Sequence, residues 1–306
     1  MAIKGSVFHI IHGSFVDGYG IRTTVFLKGC PLKCIWCCNP EGQAFQQELK
    51  VIAADCNGCG NCVSACPQGA ILMENQPGGI LLTVDRKLCN HCGRCIDVCY
   101  TNALSFFGKE YTVEELFNII QKDAIFYRSS DGGVTIGGGE ATWQPEFTLA
   151  LIRKCKENYI HTAIDTCGYV TSTEGRQALA EADLILFDLK GMDSQDHLKN
   201  TGVPNEIILE NLKNLNALGK EIIIRVPVIP GYTDSQQNLT ATAAFLATLP
   251  AVVRVDILPV HQFGKVKYAQ IGMEYKLGDV QLISPERQEQ IKALFASYGL
   301  TAQIGG

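Results

Sequence analysis

The stretch Arg22-Thr-Thr-Val-Phe-Leu27-Lys-Gly-Cys30-Pro-Leu-Lys-Cys34-Ile-Trp-Cys37 decides the fold. Its first six residues are β-branched or apolar and read as a strand, which runs at once into Gly29 and the cysteines. Three thiolates spaced C-x3-C-x2-C can hold three corners of a four-iron cluster and leave the fourth iron without a protein ligand. A fully ligated cluster takes four cysteines and carries electrons, so an open corner points to chemistry at the cluster itself. Zinc would want a fourth ligand, for which only the adjacent Cys38 is obvious, and three core thiols are the remaining alternative. In parallel α/β folds the C-terminal ends of strands are where sites are built.

The composition sets the scale. The chain has 306 residues, 46% of them hydrophobic, enough for one large core and a small appended module. A net charge of -5 without a basic cluster gives little reason to expect nucleic acid as a partner. There is no apolar run of roughly 18 residues, and Met1-Ala-Ile-Lys-Gly5 lacks a signal-peptide core, so a soluble, cytoplasmic protein is expected with no membrane partner. Fourteen cysteines in ordered spacings, in a long chain without a signal, suggest metal and not disulfides.

A second cysteine system repeats internally. Cys56, Cys59, Cys62 and Cys66 are matched 33 positions later by Cys89, Cys92, Cys95 and Cys99, giving C-x2-C-x2-C-x3-C twice. This is the bacterial ferredoxin arrangement, in which the fourth cysteine of each run serves the other cluster. One [4Fe-4S] cluster would take Cys56, Cys59, Cys62 and Cys99, and the other Cys89, Cys92, Cys95 and Cys66. Two zinc ribbons are the alternative. Pro67 follows the first run as the pattern asks, whereas Tyr100 replaces the second proline. Cys38, Cys155 and Cys167 are left over as free thiols.

Beyond residue 110 helices and strands alternate. Tyr111 to Asp123 carries apolar residues at helical spacing, with Thr112 and Glu115 as a capping box. Apolar strands are expected at Gly133–Ile136, His161–Thr166, Leu184–Leu189, Ile222–Pro227 and Val253–Pro259, with helices between them such as Glu146–Asn158 and Glu206–Leu218. With the first strand this makes about six βα units, short of the eight that close a barrel. The expected fold is α/β, an open partial (β/α)6 barrel of residues 1–49 and 109–306, with a ferredoxin-like two-cluster domain inserted at 50–108.

Several polar residues fall at the strand ends. Gly137-Gly138-Gly139-Glu140 lets backbone approach a ligand and offers an acceptor for an ammonium group. Asp165-Thr166, Asp188-Leu-Lys190, Arg225-Val-Pro-Val-Ile-Pro230 and Leu258-Pro-Val-His261 follow in order. In isolation the Asp-Leu-Lys reads as a surface pair and the histidine as a core residue.

Together with C-x3-C-x2-C, these motifs resemble the radical S-adenosylmethionine (SAM) superfamily, and within it the activating enzymes of glycyl radical enzymes. The resemblance runs from Gly13 to about Ile304 and includes Asp17-Gly18-Tyr19-Gly20-Ile21-Arg22, with Tyr19 where proline is usual. It implies that the open iron binds the amino and carboxylate groups of SAM. It further implies SAM contacts by Gly138, Gly139, Glu140, Asp165, Asp188, Lys190, Arg225 and His261, and a monovalent cation at Asp165, Thr166 and Asp188. The Ser-Gly-Gly-Glu-Pro form usual around the glycines is altered here at Gly137 and Ala141.

The implied reaction begins with reduction of the Cys30/Cys34/Cys37 cluster by a flavodoxin or ferredoxin, by way of the inserted clusters. One electron then breaks the S–C5′ bond of SAM, giving methionine and a 5′-deoxyadenosyl radical. That radical removes hydrogen from the α-carbon of a glycine in the protein partner. No side-chain acid or base is required, and the protein supplies orientation and exclusion of competing reactions. The strings Gly133–Glu140 and Asp256–Gly264 are most similar to those of choline trimethylamine-lyase activators, which implies that enzyme as partner. A radical SAM enzyme acting on a small molecule is the second reading, and a plain electron carrier the third.

Overall fold

The computed structural model describes residues 2–76 and 79–305. Its strands in chain order are β1 (Lys4–Ser14), β2 (Arg22–Leu27), β3 (Glu48–Val51), β4 (Ile71–Gln76), β5 (Gly79–Val84), β6 (Leu104–Phe107), β7 (Lys109–Thr112), β8 (Gly133–Gly138), β9 (His161–Thr166), β10 (Leu184–Asp188), β11 (Glu221–Val228), β12 (Val252–Pro259) and β13 (Ala302–Ile304). Nine of them form one sheet in the order β13-β12-β11-β10-β9-β8-β2-β1-β7. From β2 to β13 every pairing is parallel and each strand lies beside its predecessor in the sheet, the winding of a barrel. It stays open, because β7 and β13 stand at opposite edges. The expected partial barrel is present, extended by the short parallel strand β13 and by the antiparallel pair β1 and β7.

The apolar strands are buried because helices cover the outer face. β10 is buried from Leu184 to Phe187, and the largest core cluster joins its outward side to helices such as Pro145–Glu157 and Glu206–Ala217. The inward side forms a smaller apolar plug of Ala163, Leu184, Leu186 and Ile223. Strand side chains alternate with period two, so the next inward positions toward the C-terminal ends are Asp165, Asp188 and Arg225. The same alternation that fills the barrel therefore crowns it with charge.

The helix expected over Tyr111–Asp123 is shorter than that. Tyr111 belongs to β7, where the ladder to β1 claims it, and the helix spans Val113–Ile120 before a 3-10 turn at Gln121–Asp123 and a second helix at Ala124–Ser130. Its start is as expected: Glu115 N donates to Thr112 Oγ1 at 3.2 Å, and Thr112 N donates to Glu115 Oε2 at 2.8 Å.

The cysteine-rich module leaves and rejoins the barrel through a two-stranded ladder, β3 against β6, in register from Glu48 opposite Phe107 to Val51 opposite Leu104. A hairpin of β4 and β5 completes it. Among the described residues no helix is long and apolar enough to cross a membrane.

Candidate functional site

The three-cysteine loop leaves β2 and is pinned from three directions. Gly29 N donates to Gly42 O at 2.8 Å and Cys30 N to Gln43 O at 3.1 Å, folding the loop back on the 3-10 turn Pro40–Gly42. Lys33 N and Ile35 N donate to Thr201 O and Asn200 O, at 2.6 and 3.0 Å, at the end of the helix Ser194–Thr201. On the third side Tyr268 Oη, from the helix Lys265–Gln270, donates to Cys37 O at 3.0 Å.

Cys34 and Cys37 are pushed above the ordinary thiol value by burial, Cys37 up to about 12, and neighbouring thiols add to the cost of ionising: Cys37 and Cys30 for Cys34, Cys38 and Cys30 for Cys37. An iron centre removes that cost, since a coordinating thiol is held as thiolate. Cys167, counted only as a spare thiol from sequence, is brought against Cys30. The Cys167 thiol hydrogen-bonds Cys30 and holds it below the ordinary value, while burial and that same bond push Cys167 up. A signal existed: Cys167 is the third residue of Asp165-Thr166-Cys167-Gly168.

The glycine run is packed against the cysteine loop. A Cβ on Gly139 would lie 2.3 Å from both Gly29 O and Gly42 O, and one on Gly138, whose φ is 117°, would lie 2.3 Å from Leu27 N. Glu140 is wholly buried. Its Oε1 accepts from Thr142 N, Thr142 Oγ1 and Thr166 Oγ1 at 3.0, 2.7 and 2.9 Å, and its Oε2 accepts from Cys167 N at 2.7 Å. The carboxylate thus joins the end of β8 to the end of β9, and the surface left to a ligand here is backbone.

Across the barrel mouth lies a ring of charge. Arg225 Nη1 donates to Asp165 Oδ2 at 2.9 Å, with Asp17 Oδ1 at 3.7 Å from Nη2, and Lys190 pairs with Asp188. Burial pulls the Lys190 ammonium down, but Asp188 and the thiols of Cys34 and Cys167 more than offset it and hold the group charged. Burial raises the Asp165 carboxyl in spite of Arg225, with the Asp188 and Asp17 carboxylates adding to the rise. Arg225 Nε is buried without a hydrogen-bond partner. Asp17 enters this ring from the turn before β2, where its Oδ2 accepts from Ser14 Oγ and Thr24 Oγ1, both at 2.7 Å. Arg22, the first residue of β2, is buried and structural, donating to Thr135 Oγ1 and Val134 O at 2.7 Å each. His261 is not part of the ring. It is exposed beyond β12, its ring centroid 4.7 Å from that of Phe263.

In the inserted module the thiols surround two cavities. Cys66, Cys89, Cys92 and Cys95 line one, and Cys56, Cys59, Cys62 and Cys99 line the other. The fourth cysteine of each run sits with the other run, as the ferredoxin pattern requires. Among the described residues no three of His, Cys, Asp or Glu converge closely enough for a single ion. Donor sets of four sulfurs around open space suit a cluster and not a zinc ion.

A partial barrel with a three-cysteine loop on its first parallel strand, a glycine run beside it and a dicluster insert defines a radical SAM protein. The chain belongs to the radical SAM superfamily, whose family model matches residues 87–243, while the 4Fe-4S dicluster domain matches 55–103. Within the superfamily it is one of the activating enzymes of glycyl radical enzymes. It is 43% identical over 295 residues to the trans-4-hydroxy-L-proline dehydratase activating enzyme of Clostridioides difficile, covering 96% of each chain. It is 39% identical over 306 residues to the choline trimethylamine-lyase activating enzyme of Oleidesulfovibrio alaskensis, covering 98% of each. Among solved structures, Streptococcus suis SuiB bound to precursor peptide SuiA shares the fold, with a TM-score of 0.51 and 19% identity over 65% of this chain and 43% of that one.

Proposed function

We propose that Cys30, Cys34 and Cys37 hold the cluster that cleaves SAM, and that SAM lies between this loop, the Gly138-Gly139 backbone and the ring of Asp165, Asp188, Lys190 and Arg225. The observation that carries the reading is the ring itself. Half-buried cations and carboxylates alternate there, and Arg225 Nε lacks a partner, an environment suited to a zwitterion with one ammonium and one carboxylate. When bound, the cluster supplies one electron to the SAM sulfonium, and the resulting 5′-deoxyadenosyl radical takes hydrogen from a glycine of the partner.

The chain's own residues bind, orient and exclude water. Lys190 and Arg225 take carboxylate oxygens, Gly138 and Gly139 accept the ammonium through backbone carbonyls, and Glu140 holds the two loops in register without touching the ligand. A monovalent cation would take Asp165 and Asp188, whose mutual repulsion it relieves; Thr166 Oγ1 is committed to Glu140. The two insert cavities hold one four-iron cluster each, with the crossed cysteine sets, and the module spans 50–108 with the β3/β6 ladder as its neck. A low-potential flavodoxin or ferredoxin supplies the electron.

Similarity to the hydroxyproline dehydratase activator is 43%, against 39% for the choline trimethylamine-lyase activator, over nearly the whole chain in both cases. We therefore place trans-4-hydroxy-L-proline dehydratase first as partner. Choline trimethylamine-lyase stands second, on the strings Gly133–Glu140 and Asp256–Gly264. The test mixes the reconstituted protein, SAM and reductant with each glycyl radical enzyme in turn and reads the glycyl doublet by electron paramagnetic resonance. A doublet with the first alone supports the ranking, a doublet with the second alone reverses it, and none with any glycyl radical enzyme overturns the activating role.

A further inference from the structure

The seating of the insert distinguishes its two cysteine groups. At the neck, the wholly buried Lys28 donates through Nζ to Glu48 Oε2 at 3.0 Å and Glu41 O at 2.6 Å, just before Gly29 and Cys30. The first rung of the β3/β6 ladder, Glu48 opposite Phe107, is thus tied to the start of the three-cysteine loop. The cavity of Cys66, Cys89, Cys92 and Cys95 is lined by Leu49 and Phe106, the second rung. The cavity of Cys56, Cys59, Cys62 and Cys99 is lined by Leu104, on the fourth rung, and by Ala103 beyond it. Two rungs correspond to about 7 Å along a strand.

A second tie reaches the same group. Cys89 N donates to Asp85 O at 3.1 Å, closing a turn that carries Arg86. Arg86 donates from Nη1 to Leu49 O and from Nη2 to Gln270 O at 3.3 Å, at the end of the helix Lys265–Gln270. That helix holds the three-cysteine loop by Tyr268 Oη on Cys37 O and by Lys267 Nζ, 2.7 Å from Asn39 Oδ1 and 2.8 Å from Glu41 Oε1. Bonded contacts therefore run from the Cys89 turn to Cys37. The segment carrying Cys56, Cys59 and Cys62 makes its hydrogen bonds inside the insert.

We infer that the Cys66/Cys89/Cys92/Cys95 group is the inner electron station, next to the SAM-cleaving loop, and the Cys56/Cys59/Cys62/Cys99 group the outer one. One electron passes at a time from a reduced low-potential carrier protein, through the outer and then the inner station, to the loop; the carrier is oxidised by one electron and no bond or proton moves. This order rests on the three-cluster reading, which an iron count tests by itself.

The experiment measures, in reduced protein without partner, the microwave power that half-saturates the resonance of the Cys30/Cys34/Cys37 cluster. Dipolar relaxation falls steeply with distance, so the roughly 7 Å offset separates the two groups. With Cys92→Ala the half-saturation power should fall, and with Cys59→Ala it should fall less, because the nearer group dominates the relaxation. The reverse pattern, or equal falls, would overturn the order. Where an alanine variant loses both insert clusters, Cys92→Ser and Cys59→Ser retain an oxygen donor and give the same comparison. Loss of both clusters in all four variants would overturn the division into separate stations. An iron content showing no insert clusters in the unsubstituted protein would instead reject the three-cluster reading.

Discussion

Gly139 shows how a single missing side chain serves two loops. Sequence reasoning assigns it to close approach of a ligand, whereas the atoms nearest its absent Cβ, both at 2.3 Å, are Gly29 O at the start of the three-cysteine loop and Gly42 O on the turn that loop folds against. Gly139→Val should therefore displace the loop before it obstructs SAM. The expected outcome is about eight irons per chain after anaerobic reconstitution, against about twelve expected of the unsubstituted protein, because the insert is untouched. A full complement of iron with weakened SAM binding would instead restore the ligand-only role. On the proposed binding mode, Lys190→Ala should remove a charge-assisted contact to SAM of about 1.5–3 kcal/mol. SAM affinity measured by equilibrium binding should drop by about ten- to a hundredfold, while iron content stays unchanged.

Among the elements, the helix Ser194–Thr201 combines a buried histidine with the carbonyls that hold the cysteine loop. His197 Nδ1 lies 2.7 Å from Val203 O and 3.0 Å from Thr201 Oγ1, and burial lowers its pKa below the ordinary 6.5. The folded state keeps the ring neutral, while the unfolded chain takes up a proton as pH falls through 6.5. Its contribution is thus fully present above that pH and is lost as pH falls from there through the folded value. Denaturant midpoints at pH 7.5 and 5.5 should differ less in His197→Asn than in the unsubstituted protein; an unchanged difference would remove His197 from the acid response. Strand β10 offers a packing test. Leu186 belongs to the inner plug with Ala163, Leu184 and Ile223, and its strand ends two residues later in Asp188. Leu186→Ala should cost about 2–5 kcal/mol in unfolding measurements and loosen the ring above it.

For the whole molecule, the division between open and closed clusters makes the sharpest demand. Replacing Cys30, Cys34 and Cys37 together by alanine should lower the iron content by about four per chain and abolish SAM cleavage, since the insert's eight cysteines remain. Cleavage surviving in that variant would sink the assignment. The barrel tolerates the insert because β3 and β6 bring its two ends together as a single ladder, Glu48 opposite Phe107, beside buried Lys28. The helices that secure the cysteine loop come from chain positions near 200 and 268, so the site assembles only when the barrel has wound.

What the sequence determined by itself was whatever local chemistry writes in a short window. Ligand spacing sets which cysteines can share a cluster, β-branched runs between helical stretches set the parallel strands, and Thr112 with Glu115 sets a helix start. The crossed pairing of the two cysteine runs was legible for the same reason, as a repeat of fixed spacing whose cavities have the expected linings. Only the tertiary structure decided which distant groups meet. It turned Glu140 inward to four donors, set Asp17 beside Arg225, seated Cys167 against Cys30 and left His261 on the surface. The physical reason is that burial and pairing depend on neighbours supplied by other strands. A period of two places Asp165, Asp188 and Arg225 on one face, but the twist and order of the sheet bring those faces around a common mouth.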